Sequence, residues 1–175
     1  MDQAAGRRAT GGPRAARGAR VPFGRIAAAA ALFSVVICAG AFGYAAALSR
    51  ARLTRAIDDI REIEQRALNF ALTTGDLPPS LQVIGWRRDD PWGGAYEYRD
   101  LQVRHDSGAD DAAEQGPAAR RKDRRHRDLN TDFDLYSRGP DRATHPQLGS
   151  PEAEDDIVRA ANGGFVGVAG QYEGR

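Results

Sequence analysis

The apolar residues of this chain follow three successive patterns. From Ile26 to Leu48 the chain carries no charge and includes Leu32, Phe33, Val35, Val36, Ile37 and Phe42. As a helix that run would span about 34 Å, enough to cross a bilayer core. From Ser49 to Thr73 the apolar residues thin to a stripe: Leu53, Ile57, Ile60, Ile63, Ala67, Phe70 and Ala71 keep the three-and-four spacing of a one-sided helix. Glu62 and Arg66 on the polar side are spaced for an ion pair, and Asp58-Asp59 reads as surface charge. Gly75 predicts a C-terminal cap, and Pro78-Pro79 prevents the helix from resuming. No breaker separates the two stretches, so the pattern predicts one long helix from about Arg25 to Thr74.

Beyond the prolines the period drops to two. Pro91 restricts Asp90 to extended geometry, and Gly93-Gly94 frees the backbone for a turn. Tyr96 and Tyr98 then alternate with Glu97, while Phe133, Leu135 and Ser137 alternate with Asp134 and Tyr136. Phe165 to Val168, after the turn-forming Asn162-Gly163-Gly164, suits a final edge strand. Trp86 and Trp92 read as core or edge aromatics. The expected class is α+β: a long N-terminal helix, membrane-spanning in its first half, packed on a small antiparallel sheet.

Three runs in this order, Asp90-Pro91-Trp92-Gly93-Gly94-Ala95-Tyr96-Glu97-Tyr98, Phe133 to Asp141 with Gly139, and Asp155-Asp156-Ile157, resemble the globular motifs of the major pseudopilins of type II secretion systems. The resemblance covers roughly residues 26 to 158. It implies a pilin-like fold, a role in protein export as a pseudopilus subunit or accessory, and other pseudopilins, copies of itself and secretion-system components as partners. It also implies a calcium ion held by Asp141, Asp155, Asp156, Ser137 and the carbonyl of Leu135. Calcium takes six to eight oxygens, and three carboxylates converging in one loop repel one another unless a cation sits among them. The spacing from Asp141 to Asp155 equally permits a metal-free, solvated loop. The chain departs from the family in two places. Arg142 follows Asp141 where the family often has glycine. No acidic residue lies between Asp2 and Asp58 to act as the glutamate near the start of a pseudopilin helix, and Phe23-Gly24-Arg25 is a poor cleavage site.

Composition adds orientation. The chain has 175 residues and a net charge of +1, so bulk charge points to no partner. Its distribution is more informative: Arg7, Arg8, Arg14, Arg17, Arg20 and Arg25 face only Asp2 ahead of the apolar run. That asymmetry predicts a single-pass inner-membrane protein with a cytoplasmic N-terminus and a periplasmic domain. A cleaved secretory signal competes, since Ala39-Gly40-Ala41 and Ala45-Ala46-Ala47 offer small-residue cleavage patterns. The expected divisions are a disordered basic arm (1–25), the span (26–48), its amphipathic continuation (49–74) and a β-rich domain (75–175).

Within that domain a charged insert at about 104–128 runs from acidic (Asp106, Asp110, Asp111, Glu114) to basic (Arg120-Arg121-Lys122-Asp123-Arg124-Arg125-His126-Arg127). Such a run predicts a mobile, solvated loop. If it binds, an anionic envelope surface or an acidic protein suits it, and nucleic acid is not an expected partner of an exported domain. Cys38, the sole cysteine, excludes an intrachain disulfide. His105, His126 and His145 lack zinc spacing, and no nucleophile-elbow, P-loop or dinucleotide motif occurs, so an enzyme is not expected. The alternative to a secretion subunit is a non-assembling anchored binding module that uses the basic insert or a domain face.

Overall fold

A computed structural model describes residues 23–102 and 119–174. Residues 1–22 of the basic arm and the acidic half of the insert therefore lie outside the described residues, while residues 23–25 of the arm, expected to be disordered, already belong to a helix. Helix α1 runs Phe23–Thr74 without interruption. It ends as the sequence requires: Gly75 adopts φ 91°, a left-handed geometry that suits glycine, and its N–H donates to the Ala71 carbonyl at 2.9 Å.

The chain divides at Tyr44–Ala45 into two units. In the first, Leu32, Phe33, Val35, Ile37 and Phe42 are all exposed. The helix is long and apolar enough to cross a membrane by length and composition.

The second unit holds a four-stranded antiparallel sheet in the order β1-β2-β3-β4. The strands are β1 (Glu97–Asp100), β2 (Phe133–Ser137), β3 (Ile157–Ala160) and β4 (Phe165–Val168). Tyr98 faces Leu135 across β1–β2, Tyr136 faces Val158 across β2–β3, and Val158 faces Gly167 across β3–β4. The edge strand expected at Phe165 to Val168 is β4, and Glu62 and Arg66 pair at 2.6 Å.

Strand alternation sends side chains to two different cores. On one face the helical stripe Ala56, Ile60, Ile63 and Ala67 packs with Leu77, Leu81, Trp86, Tyr96, Phe133, Leu135 and Ile157. Trp92 lies partly buried at its margin. On the other face Tyr136, Val158 and Ala160 meet Leu129, Leu148 and Ala169. The cover on this side is loop, which is why all five residues of β2 are buried.

One expectation fails here. Residues 119–123 are not a solvated loop: Ala119, Arg121 and Asp123 are buried, while residues 124–128 are exposed as expected. The Lys122 N–H donates to the Pro146 carbonyl at 2.8 Å, and the Leu148 N–H donates back to the Lys122 carbonyl at 2.9 Å. The physical reason is that the second face of the sheet needs a cover, and the basic end of the insert supplies part of it.

Candidate functional site

The two sequence motifs meet through Asp90. Its Oδ1 accepts from the Trp92 and Gly94 N–H groups at 2.9 and 2.8 Å, which closes the turn that Pro91 begins. Its Oδ2 accepts from the Ser137 hydroxyl at the end of β2. Gly93 takes φ 81°, and the Arg142 guanidinium donates to the Trp92 carbonyl. Arg138 beside it donates to Glu97 at 2.7 Å. Together Asp90, Gly93, Glu97, Arg138 and Arg142 border a cavity of about 270 Å³.

Ser137 therefore serves the turn. Its hydroxyl is committed to Asp90 and also accepts from the Gly139 N–H at 3.2 Å. Leu135 contributes its side chain to the helix-side core.

Of the five residues expected to hold calcium, the structure joins Asp141 and Asp155: the Asp141 N–H donates to Asp155 Oδ2 at 3.3 Å. Burial pushes the Asp155 carboxyl up, and the neighbouring Asp141 charge adds to the rise. Gly139, at φ 63°, lies so close to the Asp155 carbonyl that a Cβ there would overlap it.

Asp156 faces a different partner. It is fully buried, and its Oδ2 accepts from the Arg121 guanidinium and from the Thr144 hydroxyl at 2.7 Å. Burial pushes its carboxyl up to about 6, while the Arg121 charge and the Thr144 hydrogen bond pull it down. The carboxylate is thus mostly ionised at neutral pH, opposite a fixed positive charge. The Oδ1 atoms of Asp155 and Asp156 are buried without a hydrogen-bond partner.

Only part of the expected donor set is open to a calcium ion. The Oδ1 atoms of Asp155 and Asp156 are unpartnered, but the Ser137 hydroxyl is committed to Asp90, and Asp156 is already paired with the Arg121 cation, which would repel a second one. Among the described residues no group of three or more His, Cys, Asp or Glu side chains is arranged to hold a metal.

Sequence reasoning missed three polar anchors. Asp59, read as surface charge, is buried. It accepts from the Tyr96 hydroxyl at 2.9 Å and from Arg88 at 3.1 Å. Burial, and then this hydrogen bond, drive the Tyr96 phenol far above its usual range. Arg159 is buried in β3 and reaches Glu64 of α1 and Asp132, each at 2.7 Å, with its guanidinium 3.9 Å from the Phe133 ring centre. The third is Arg121. The signal for Arg159 was present: it shares the parity of Ile157, which in a strand is the helix-facing side.

No family model matches the chain, and neither a curated protein nor a solved structure shows significant similarity to it.

Proposed function

We propose that the chain is a membrane-anchored, pilin-like structural subunit or accessory of a type II secretion pseudopilus. In this reading residues 26–48 hold it in the inner membrane, the N-terminus is cytoplasmic and the sheet domain is periplasmic. One observation carries the reading. A single helix joins an exposed apolar segment to a stripe that floors an antiparallel sheet, and the turn and strand motifs of that sheet are linked through Asp90 and Ser137. Its work is packing and bridging between copies rather than chemistry on a substrate.

Cys38 provides the test, because it lies in the apolar segment and is exposed. Oxidation of native membranes should link two copies through Cys38 if the helices associate. A chain that stays monomeric under conditions that crosslink a control pair would sink the proposal.

A second reading, an anchored module that does not assemble, is favoured by the lack of any acidic residue between Asp2 and Asp58. Part of the basic run is already engaged within the domain. Arg120 pairs with Asp128 at 3.3 Å, Arg121 with Asp156 and Arg127 with Asp123 at 2.7 Å, and Arg124 donates to the Gly170 carbonyl at 2.9 Å. Arg121 alone of these is buried, while Arg124, Arg125 and Arg127 remain exposed, so this version can use those three or a domain face. N-terminal sequencing of the mature protein separates the readings: a start at Arg25 supports assembly, and a start at Met1 supports the anchored module.

A further inference from the structure

Against Asp156, one of the five residues that the resemblance assigns to calcium, the structure places a guanidinium. We infer that Arg121 is the resident cation of the acid-lined loop, carried in by the charged insert and holding residues 138–156 closed without a metal. The inference stands apart from the secretion reading, since it requires only the folded domain.

Four observations converge on it. First, Arg121 is buried, with a side-chain exposure of 1%, and Asp156 is at 0%; charges removed from water to that degree persist only when paired. Second, the contact is a closed triangle. Arg121 Nη2 donates to Asp156, its Nη1 donates to the Thr144 hydroxyl, and that hydroxyl donates to the same carboxylate oxygen. Thr144 lies within the loop being closed and Asp156 at its far end, so the arginine ties the one to the other. Third, the guanidinium lies 4.0 Å from the Tyr136 ring centre, an arrangement that suits arginine better than a small hydrated metal ion.

Fourth, the backbone fixes the arginine in place. The Arg121 N–H donates to Asp134 Oδ2 at 2.8 Å, and Lys122 exchanges hydrogen bonds with Pro146 and Leu148. The insert is thereby laced to the loop by main chain as well as by charge. A loosely held metal would leave the loop dependent on ion supply, whereas a covalently attached cation does not.

The test uses the full chain in detergent micelles, with thermal unfolding followed by the fluorescence of Trp86 and Trp92. Wild-type protein should melt at the same temperature in millimolar calcium and in excess chelator. A calcium-dependent rise overturns the inference. Arg121→Met should lower the midpoint by about 10–20 °C, because it leaves Asp156 buried without its countercharge. Combining it with Asp156→Asn should restore most of that loss, since no lone charge then remains. A double variant that melts as low as the two single losses added together overturns the pairing. If Arg121→Met alone does not fold, a double variant that does fold supports the inference, and one that also fails to fold overturns it.

Discussion

The two faces of the sheet are covered by different chemistry. Against α1 the cover is mainly aliphatic and aromatic: Ile60, Ile63 and Ala67 on the helix, Phe133, Leu135 and Ile157 on the strands, with Trp86 and Tyr96 at the side and the Arg159 pairs to Glu64 and Asp132 as its polar exception. Against the loops the apolar contacts are fewer, and the closure is polar: Arg121 on Asp156, Asn130 between Asp134 and the Arg159 carbonyl, and Arg124 on the Gly170 carbonyl. An apolar cover is graded, because each methylene removed costs a similar increment. A polar cover depends on complete pairs, because losing one partner leaves the other buried and unsatisfied.

The strongest way to break the helix side is to empty its centre. Phe133 is fully buried, with the Tyr98 ring at 5.5 Å and the Arg159 guanidinium against it. Phe133→Ala should cost about 3–5 kcal/mol, read from urea unfolding of the full chain. A loss below about 1 kcal/mol, the scale of a surface change, would mean that this face is not the main apolar core.

On the loop side the corresponding steric test is Gly139→Ala. It places a methyl against the Asp155 carbonyl at a positive φ. The expected loss is about 2–3 kcal/mol, with the damage confined to the loop. Amide hydrogen exchange should rise across residues 138–156 before it rises in α1.

The apolar part of the burial was readable and the charged part was not, for one physical reason. Burial by an apolar stripe leaves a periodic trace, so Leu53 through Ala71, Gly75 and the alternation of β2 all showed in the residues. Burial by charge pairing leaves little beyond a strand parity such as that of Arg159, because the partners are remote in sequence and each alone resembles solvated surface. Arg121 and Asp156 are 35 positions apart, and Arg159 and Glu64 are 95 apart. The motif residues Asp90 and Ser137 were legible as a pair of motifs, but their direct contact was not. The acid-lined loop was visible as a cluster needing a cation, yet the spacing could not say that the cation was Arg121.

Acid should separate the two faces by sign. Asp156 has its carboxyl raised to about 6 by burial, so the folded state holds that proton more tightly than the unfolded chain. Its contribution is fully present below about pH 4, the unfolded value, and is lost as pH rises through about 6. Asp132 behaves oppositely: partial burial alone would raise it, but the Arg159 hydrogen bond and the Phe133 N–H hold it low. Its contribution is present above the unfolded value and is lost as pH falls below it. The melting temperature should therefore rise modestly from pH 7 to pH 5 and fall below pH 4. Asp156→Asn should shrink the first limb, to which the raised Asp155 and Asp134 carboxyls also contribute, and Asp132→Asn should shrink the second. A wild-type protein that is flat between pH 7 and 5 would contradict the first assignment.

The smallest effect sharpens the comparison at the β3–β4 turn, which is moored to the loop-side cover. Ala161, Asn162 and Gly163 all have positive φ, at 53°, 53° and 87°. The Ala161 N–H donates to the Leu129 carbonyl at 3.0 Å. Asn162 accepts from the Thr131 N–H at 2.8 Å and donates to its hydroxyl at 2.9 Å. Asparagine tolerates this geometry, whereas alanine is strained in it. Ala161→Gly keeps the N–H and removes the strain, less the entropy that glycine adds to the unfolded chain; the net gain should be about 0.5 kcal/mol. Asn162→Gly relieves the same kind of backbone but gives up both bonds to Thr131, so it should lose about 1 kcal/mol. Opposite signs at adjacent positions of one turn would show that this edge is held by side-chain pairing and not by backbone preference. Equal signs would show the reverse, and the polar closure would then end short of the turn.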